Sequence, residues 1–124
     1  MAAQKVAAVT GASRGIGSCI AAELAARDYL VACLSRKGLG PEDRDRSAEE
    51  AANSADFACD VSDDAALKSA FKAVHDRFGR IDLLVNNAGQ HDEGKSADYT
   101  TDAFENLLRV NTTAVFAASR EAYP

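Results

Sequence analysis

The sequence predicts an α/β fold: the N-terminal half of a doubly wound parallel sheet, strand order 3-2-1-4, with helices on both faces. Two observations carry this reading. Short apolar runs alternate with segments of helical period, and a glycine-rich turn joins the first run to the first helical segment. Strands that alternate with helices need crossover connections, so the sheet is parallel, and the right-handed crossover rule orders the strands.

The lead-in Met1 to Lys5 gives way to Val6 to Val9, a continuously apolar run such as a strand buried on both faces would have. From Gly15, Ile16, Ile20 and Leu24 recur every four residues among alanines, the spacing of a helix with one buried stripe. That helix ends near Asp28, a residue that tolerates the left-handed conformation moderately well. Leu30 to Leu34 is a second buried strand emptying into Ser35-Arg36-Lys37-Gly38. Between Gly38 and Ala55 the only large apolar side chain is Leu39, so a helix from about Ser47 to Ala52 would be held weakly.

Asp56 to Cys59 forms a third strand. Leu67, Ala70, Phe71, Val74 and Phe78 then fall on one face of a helix, with Ser62 or Asp63 as N-cap and Gly79 as stop. Ile81 to Asn86 is the fourth strand, and a polar loop runs from Asn87 to Tyr99. Asp102 and Glu105 resemble a capping box, and Phe104, Leu107, Leu108, Val115 and Phe116 form the stripe of a last helix that Pro124 terminates.

A chain of 124 residues can bury a core without a disulfide or metal staple, so residues 1–124 are read as a single, partial domain. The net charge of −5 comes from acids scattered along the chain, which excludes a surface built for nucleic acid. Cys19, Cys33 and Cys59 show no CxxC or Cys/His ligand spacing and are read as reduced core thiols, with no metal site. No run approaches the ~20 apolar residues that span a bilayer, so the expectation is a soluble, cytoplasmic protein with no membrane partner.

The turn Thr10-Gly11-Ala12-Ser13-Arg14-Gly15-Ile16-Gly17 sits where a helix N-terminus offers unpaired N–H groups to a pyrophosphate. Gly11 supplies the tight turn, Gly15 admits a ligand to the backbone, and Gly17 lets the helix pack on the sheet, though GxxxGxG departs from the usual GxGxxG spacing. Thr-Gly-x-x-x-Gly-x-Gly resembles the signature of the short-chain dehydrogenase/reductase family, whose fold is Rossmann-like. Two further motifs stand in register behind it: Asp60-Val61, similar to the adenine-contacting element, and Asn86-Asn87-Ala88-Gly89 after the fourth strand.

The resemblance implies an oxidoreductase that exchanges hydride between nicotinamide and a carbonyl or alcohol, and it covers essentially the whole chain. Candidate cofactor-binding residues are Gly11, Ser13, Arg14, Gly15, Ile16, Gly17, Ser35, Arg36, Asp60, Val61, Asn87, Ala88 and Gly89. An acid after the second strand would bind the ribose hydroxyls and repel a 2′-phosphate; Ser35, Arg36 and Lys37 stand there instead, with Arg14 across the turn, so NADP(H) is expected over NAD(H). In this respect the chain resembles 3-oxoacyl-acyl-carrier-protein reductases and carbonyl reductases. Asn87 and Asn86 have structural readings as well, the latter as strand-end turn chemistry.

Asn111 falls on the apolar stripe of the last helix, where an asparagine must find buried partners. The resemblance implies that it holds a water in a proton relay. The rest of the implied catalytic set, a serine and a Tyr-x-x-x-Lys pair, has no counterpart in these 124 residues. His75, His91, Tyr99 and Tyr123 are read as non-catalytic. The sequence is thus expected to be the cofactor-binding half of a reductase, inactive alone, whose full-length form takes a small carbonyl or alcohol and assembles as a homo-tetramer or dimer. The alternative is a non-catalytic nucleotide-binding module, or a truncated paralogue that pairs with another chain through its open fourth strand.

Overall fold

The computed structural model describes residues 4–123; Met1 to Ala3 of the lead-in and Pro124, the expected helix stop, lie outside them. Strands β1 (Val6–Thr10), β2 (Leu30–Ser35), β3 (Ser54–Ala58) and β4 (Leu83–Val85) are parallel and lie in the expected order, β3-β2-β1-β4. Val6 pairs with Leu30, Ala7 with Leu83, and Val31 with Ser54. Side chains alternate between the faces: Ala8, Ala32 and Leu34 point into one core layer, Val9, Val31 and Cys33 into the other. Burial on both sides is why β1 and β2 read as unbroken apolar runs.

Helix α1 (Gly15–Ala26) covers the Val9 face and helix α3 (Asp64–Phe78) the Ala8 face, where the C-terminal helix α5 (Ala114–Ala122) joins it. Leu67, Ala70, Phe71 and Val74 form the buried stripe of α3 as their spacing requires. Burying each of the larger three contributes about 2 kcal/mol. Asp63 caps that helix, accepting from the N–H groups of Ala65 and Ala66, and Gly79 ends it in the left-handed conformation.

Three expectations about helices need correction. The buried face of α1 is Gly17, Ser18, Ala21 and Ala25, while Ile16 is 74% exposed and Ile20 and Leu24 are half-buried. Close approach of helix to sheet favours small side chains at the contact, so the large residues flank it. Asp28 does close this helix with φ +68.

The last helix is not continuous. Helix α4 (Thr101–Leu108) passes through a π-helical turn (Arg109–Thr113) into α5. The wider turn shifts the phase of the stripe between its two halves; Phe104, Leu108, Val115 and Phe116 are exposed, Leu107 is half-buried, and Val110, Ala114, Ala117 and Ala118 are buried instead. Its N-cap is Thr100, whose hydroxyl accepts from Ala103 N–H at 3.1 Å; Asp102 lies in the first turn. Tyr123 follows Ala122 as an extended C-cap.

The third concerns α2 (Ala48–Asn53), expected to be weakly held. Ser47 caps it by accepting from Glu50 N–H, and Glu50, 6% exposed, takes both terminal nitrogens of Arg44 at 2.7 Å. Arg46 in turn pairs with Asp56 of β3, its Nη1 at 2.9 Å. Charge pairing, not apolar burial, holds this helix. Among the cysteines, Cys33 and Cys59 are buried, which pushes their thiols up to about 11, but Cys19 is exposed and is not a core residue. No helix among the described residues is long and apolar enough to cross a membrane.

The bond to Arg44 holds the Glu50 carboxyl below the usual carboxylate range. A depressed folded-state pKa adds stability that is present above the ordinary value and lost as pH falls through the depressed one. Urea unfolding should therefore find Glu50→Gln less stable than wild type by on the order of 2 kcal/mol near neutrality, with the difference shrinking as pH falls below the ordinary carboxylate range. A difference independent of pH would show that the charge is not what anchors α2.

Candidate functional site

In an open parallel sheet, ligands sit beyond the carboxyl ends of the strands, at the point where strand order reverses. Here that point lies between β1 and β4, and a cleft of about 880 Å³ opens there. Its floor is built on Thr10, the last residue of β1. The Thr10 hydroxyl accepts from the N–H groups of Asn87 and Ala88, both at 3.0 Å, and donates to Val85 O at 3.4 Å. The Asn87 amide returns the connection, donating to Thr10 O at 3.2 Å and Gly11 O at 3.1 Å.

This cross-bracing draws the turn after β1 against the segment after β4. A Cβ on Gly11 would lie 2.9 Å from Ala88 Cα, and one on Gly17 only 2.2 Å from Gly11 O, so both contacts need glycine. Around Gly15 the space is open: apart from its chain neighbours and its own helix backbone, nothing lies within 4 Å of where a Cβ would stand. The turn is thus packed beneath and free above, the shape a phosphate cradle requires. Those features fit a dinucleotide laid across the N-terminus of α1.

Of the residues singled out from the sequence, Gly11, Ser13, Arg14, Gly15, Ile16, Ser35, Arg36, Asp60, Val61, Asn87, Ala88 and Gly89 all line this cleft. Gly17 lies beneath it, packed under the turn. Arg14 and Arg36 are exposed and form no ion pair among the described residues. Ser35 is buried at the end of β2, its hydroxyl accepting from Gly38 N–H at 3.1 Å. Asp60 accepts from the Ser62 hydroxyl at 2.7 Å and the Ser62 N–H at 3.0 Å. These bonds, with a smaller contribution from Arg36, hold its carboxyl below the usual range.

Asn111 is exposed rather than buried, and it does not line the cleft. Standing in the π-helical turn, it clamps the backbone of Gln90: Oδ1 accepts from Gln90 N–H and Nδ2 donates to Gln90 O, each at 2.8 Å. Gln90 does line the cleft and also accepts at Oε1 from Asn106. Its only sequence signal is its place directly after the Asn-Asn-Ala-Gly motif.

The far wall brings in His91 and Tyr99, both set aside in the sequence reading. His91 lies 3.2 Å from Glu93, and the Tyr99 hydroxyl donates to Asp92 at 2.9 Å. Desolvation and that bond raise the Tyr99 hydroxyl above its ordinary value. His75 is half-buried on α3 and does not line the cleft.

Sequence reasoning also missed the segment after β2. Gly15 N–H donates to the Asp43 carboxylate at 2.9 Å, and Glu42 N–H to Ser13 O at 2.6 Å. Arg44 donates to Ser18 at both its hydroxyl and its carbonyl. The alternating charges from Glu42 to Arg46 were the available signal, but they name no partners.

A sequence model of the short chain dehydrogenase family matches residues 5–124. The chain is 35% identical over 125 residues to an uncharacterized oxidoreductase, YxjF, of Bacillus subtilis, covering 98% of this chain and 48% of that protein. With a 3-oxoacyl-[acyl-carrier-protein] reductase, FabG, of Salmonella typhimurium the identity is 34%, over 94% of this chain and 47% of that one. Among solved structures, a short chain dehydrogenase of Burkholderia cenocepacia in complex with NADP superimposes with a TM-score of 0.80 at 37% identity, over 95% of this chain and 49% of the other. The chain therefore spans about half the length of the curated relatives it matches.

Replacing Thr10 with valine keeps the shape and removes the acceptor for two N–H groups. Thr10→Val is expected to lose about 3 kcal/mol of stability, read by urea unfolding, with faster amide exchange at Asn87 and Ala88. Unchanged protection of those two amides would show that the hydroxyl does not hold the cleft floor.

Proposed function

The chain belongs to the short-chain dehydrogenase family, and from that premise we propose that residues 1–124 are the cofactor-binding half, a partial Rossmann domain, of an NADP(H)-dependent oxidoreductase. The observation that carries the reading is the cleft at the β1–β4 switch point, floored by the glycine turn and rimmed by Arg14 and Arg36. When bound, the cofactor supplies hydride exchange with a carbonyl or alcohol carbon.

The protein's own residues bind and orient. The N-terminus of α1 faces the pyrophosphate, with Ser13 and Ile16 beside it, and Asp60 and Val61 flank the adenine. Asn87, Ala88 and Gly89 hold the cleft floor against the cofactor. Arg14 and Arg36 take the 2′-phosphate with charge-assisted hydrogen bonds, supported by Ser35. The relay role implied for Asn111 is part of the same proposal; Gln90 occupies one lone pair of its Oδ1, leaving the second for a water.

The three free cysteines suit a reducing compartment, the cytoplasm. A small carbonyl or alcohol as substrate, and a dimer or tetramer as the assembly of the longer protein, complete the reading.

Titration of the purified chain should give tighter binding for NADPH than for NADH, and Arg36→Ala should weaken NADPH roughly tenfold while changing NADH little. Equal affinities, or a ratio untouched by Arg36→Ala, would remove the NADP(H) assignment. Carbonyl reduction by the 124-residue chain alone is expected to be undetectable, and NADPH-dependent turnover would overturn that part of the proposal.

A further inference from the structure

The segment after β2 leaves the sheet at Ser35 and Arg36 and returns to the glycine turn at Asp43, forming a strap tied to that turn. Its return is firmly anchored. Glu42 is tied to Ser13 by its backbone N–H, and Arg44 bridges buried Ser18 of α1 and buried Glu50 of α2. Between them Asp43 accepts from Gly15 N–H at 2.9 Å. Helix α1 has no side-chain cap of its own and no acid in its first turn, so its capping carboxylate comes from 28 residues away.

That carboxylate sits against Gly15, the chain neighbour of Arg14, on the strap that begins at Arg36. A backbone N–H is a single donor, and a fixed negative charge at a helix N-terminus satisfies part of what would otherwise attract an incoming anion. We infer that Asp43 is a specificity-determining residue: its charge opposes the 2′-phosphate and limits the preference for NADP(H) over NAD(H). The inference rests on the cofactor reading above. NADH and NADPH share the pyrophosphate and differ in a group carrying up to two further negative charges, so a charge held at Gly15 opposes both cofactors but weighs more heavily on NADPH, and it lowers their ratio.

Asp43→Asn keeps the shape and an acceptor oxygen and removes only the charge. The test titrates NADPH and NADH into the full chain at low ionic strength, with Asp43→Glu as the charge-preserving control and thermal melting to verify folding. Asp43→Asn is expected to raise the NADPH-over-NADH ratio roughly two- to fivefold, with Asp43→Glu near wild type and the Gly15 amide resonance shifted in Asp43→Asn. Should wild type bind NADPH while Asp43→Asn leaves the ratio unchanged, or move both cofactors equally, the inference fails and the cofactor reading stands. Binding of neither cofactor by any variant overturns the cofactor reading and the inference with it.

Discussion

One hydroxyl sets the geometry of the cleft. Thr10 ends a strand whose other residues are wholly apolar, and its oxygen receives two N–H groups from the segment that follows β4. Parallel strands diverge beyond their last ladder bond, and here that divergence would separate the two halves of the floor. The Thr10–Asn87 exchange holds them together, which forces Gly11 against Ala88 and leaves room for α1 only because residue 17 has no side chain. The open space above Gly15 is what remains once those contacts are made.

Strands β1 and β2 were legible because burial on both faces leaves continuous apolar runs, and the order of the sheet because crossover handedness admits few arrangements. Helix α3 was legible for a related reason: its large side chains meet the sheet at helical spacing. The glycine turn declared itself through its position between strand and helix. Sequence periodicity failed wherever the contact is made by small residues, as at Ala21 and Ala25, since these carry little hydropathy signal. It failed again at α4 and α5, where a single π-helical turn rotates the second half of the stripe and turns Phe116 outward.

Charge placement was the least legible level. Hydropathy finds no large apolar residue in the stretch from Glu42 to Asp56, yet Arg44, Arg46, Glu50 and Asp56 pair among themselves into a compact, largely buried set. Pairing of this kind depends on which side chains meet across the fold, information that composition does not contain. Its effect reaches the site, because the same segment carries Asp43 to Gly15 while Arg14 and Arg36 are left facing the cleft. An acidic chain thereby presents a locally basic corner.

The bonds that join Thr10 to Asn87 and Ala88 span 77 and 78 positions of the chain, so the cleft has no local precursor. A polypeptide emerging from the ribosome can form β1, α1 and β2 early, with the glycine turn already bent between them. The pocket comes into being only when β4 docks and closes a long loop, the slow and cooperative kind of step that non-local pairing imposes. Formation of the cleft is therefore tied to the docking of β4, and a ligand held in it would report completion of the sheet more faithfully than helix content does.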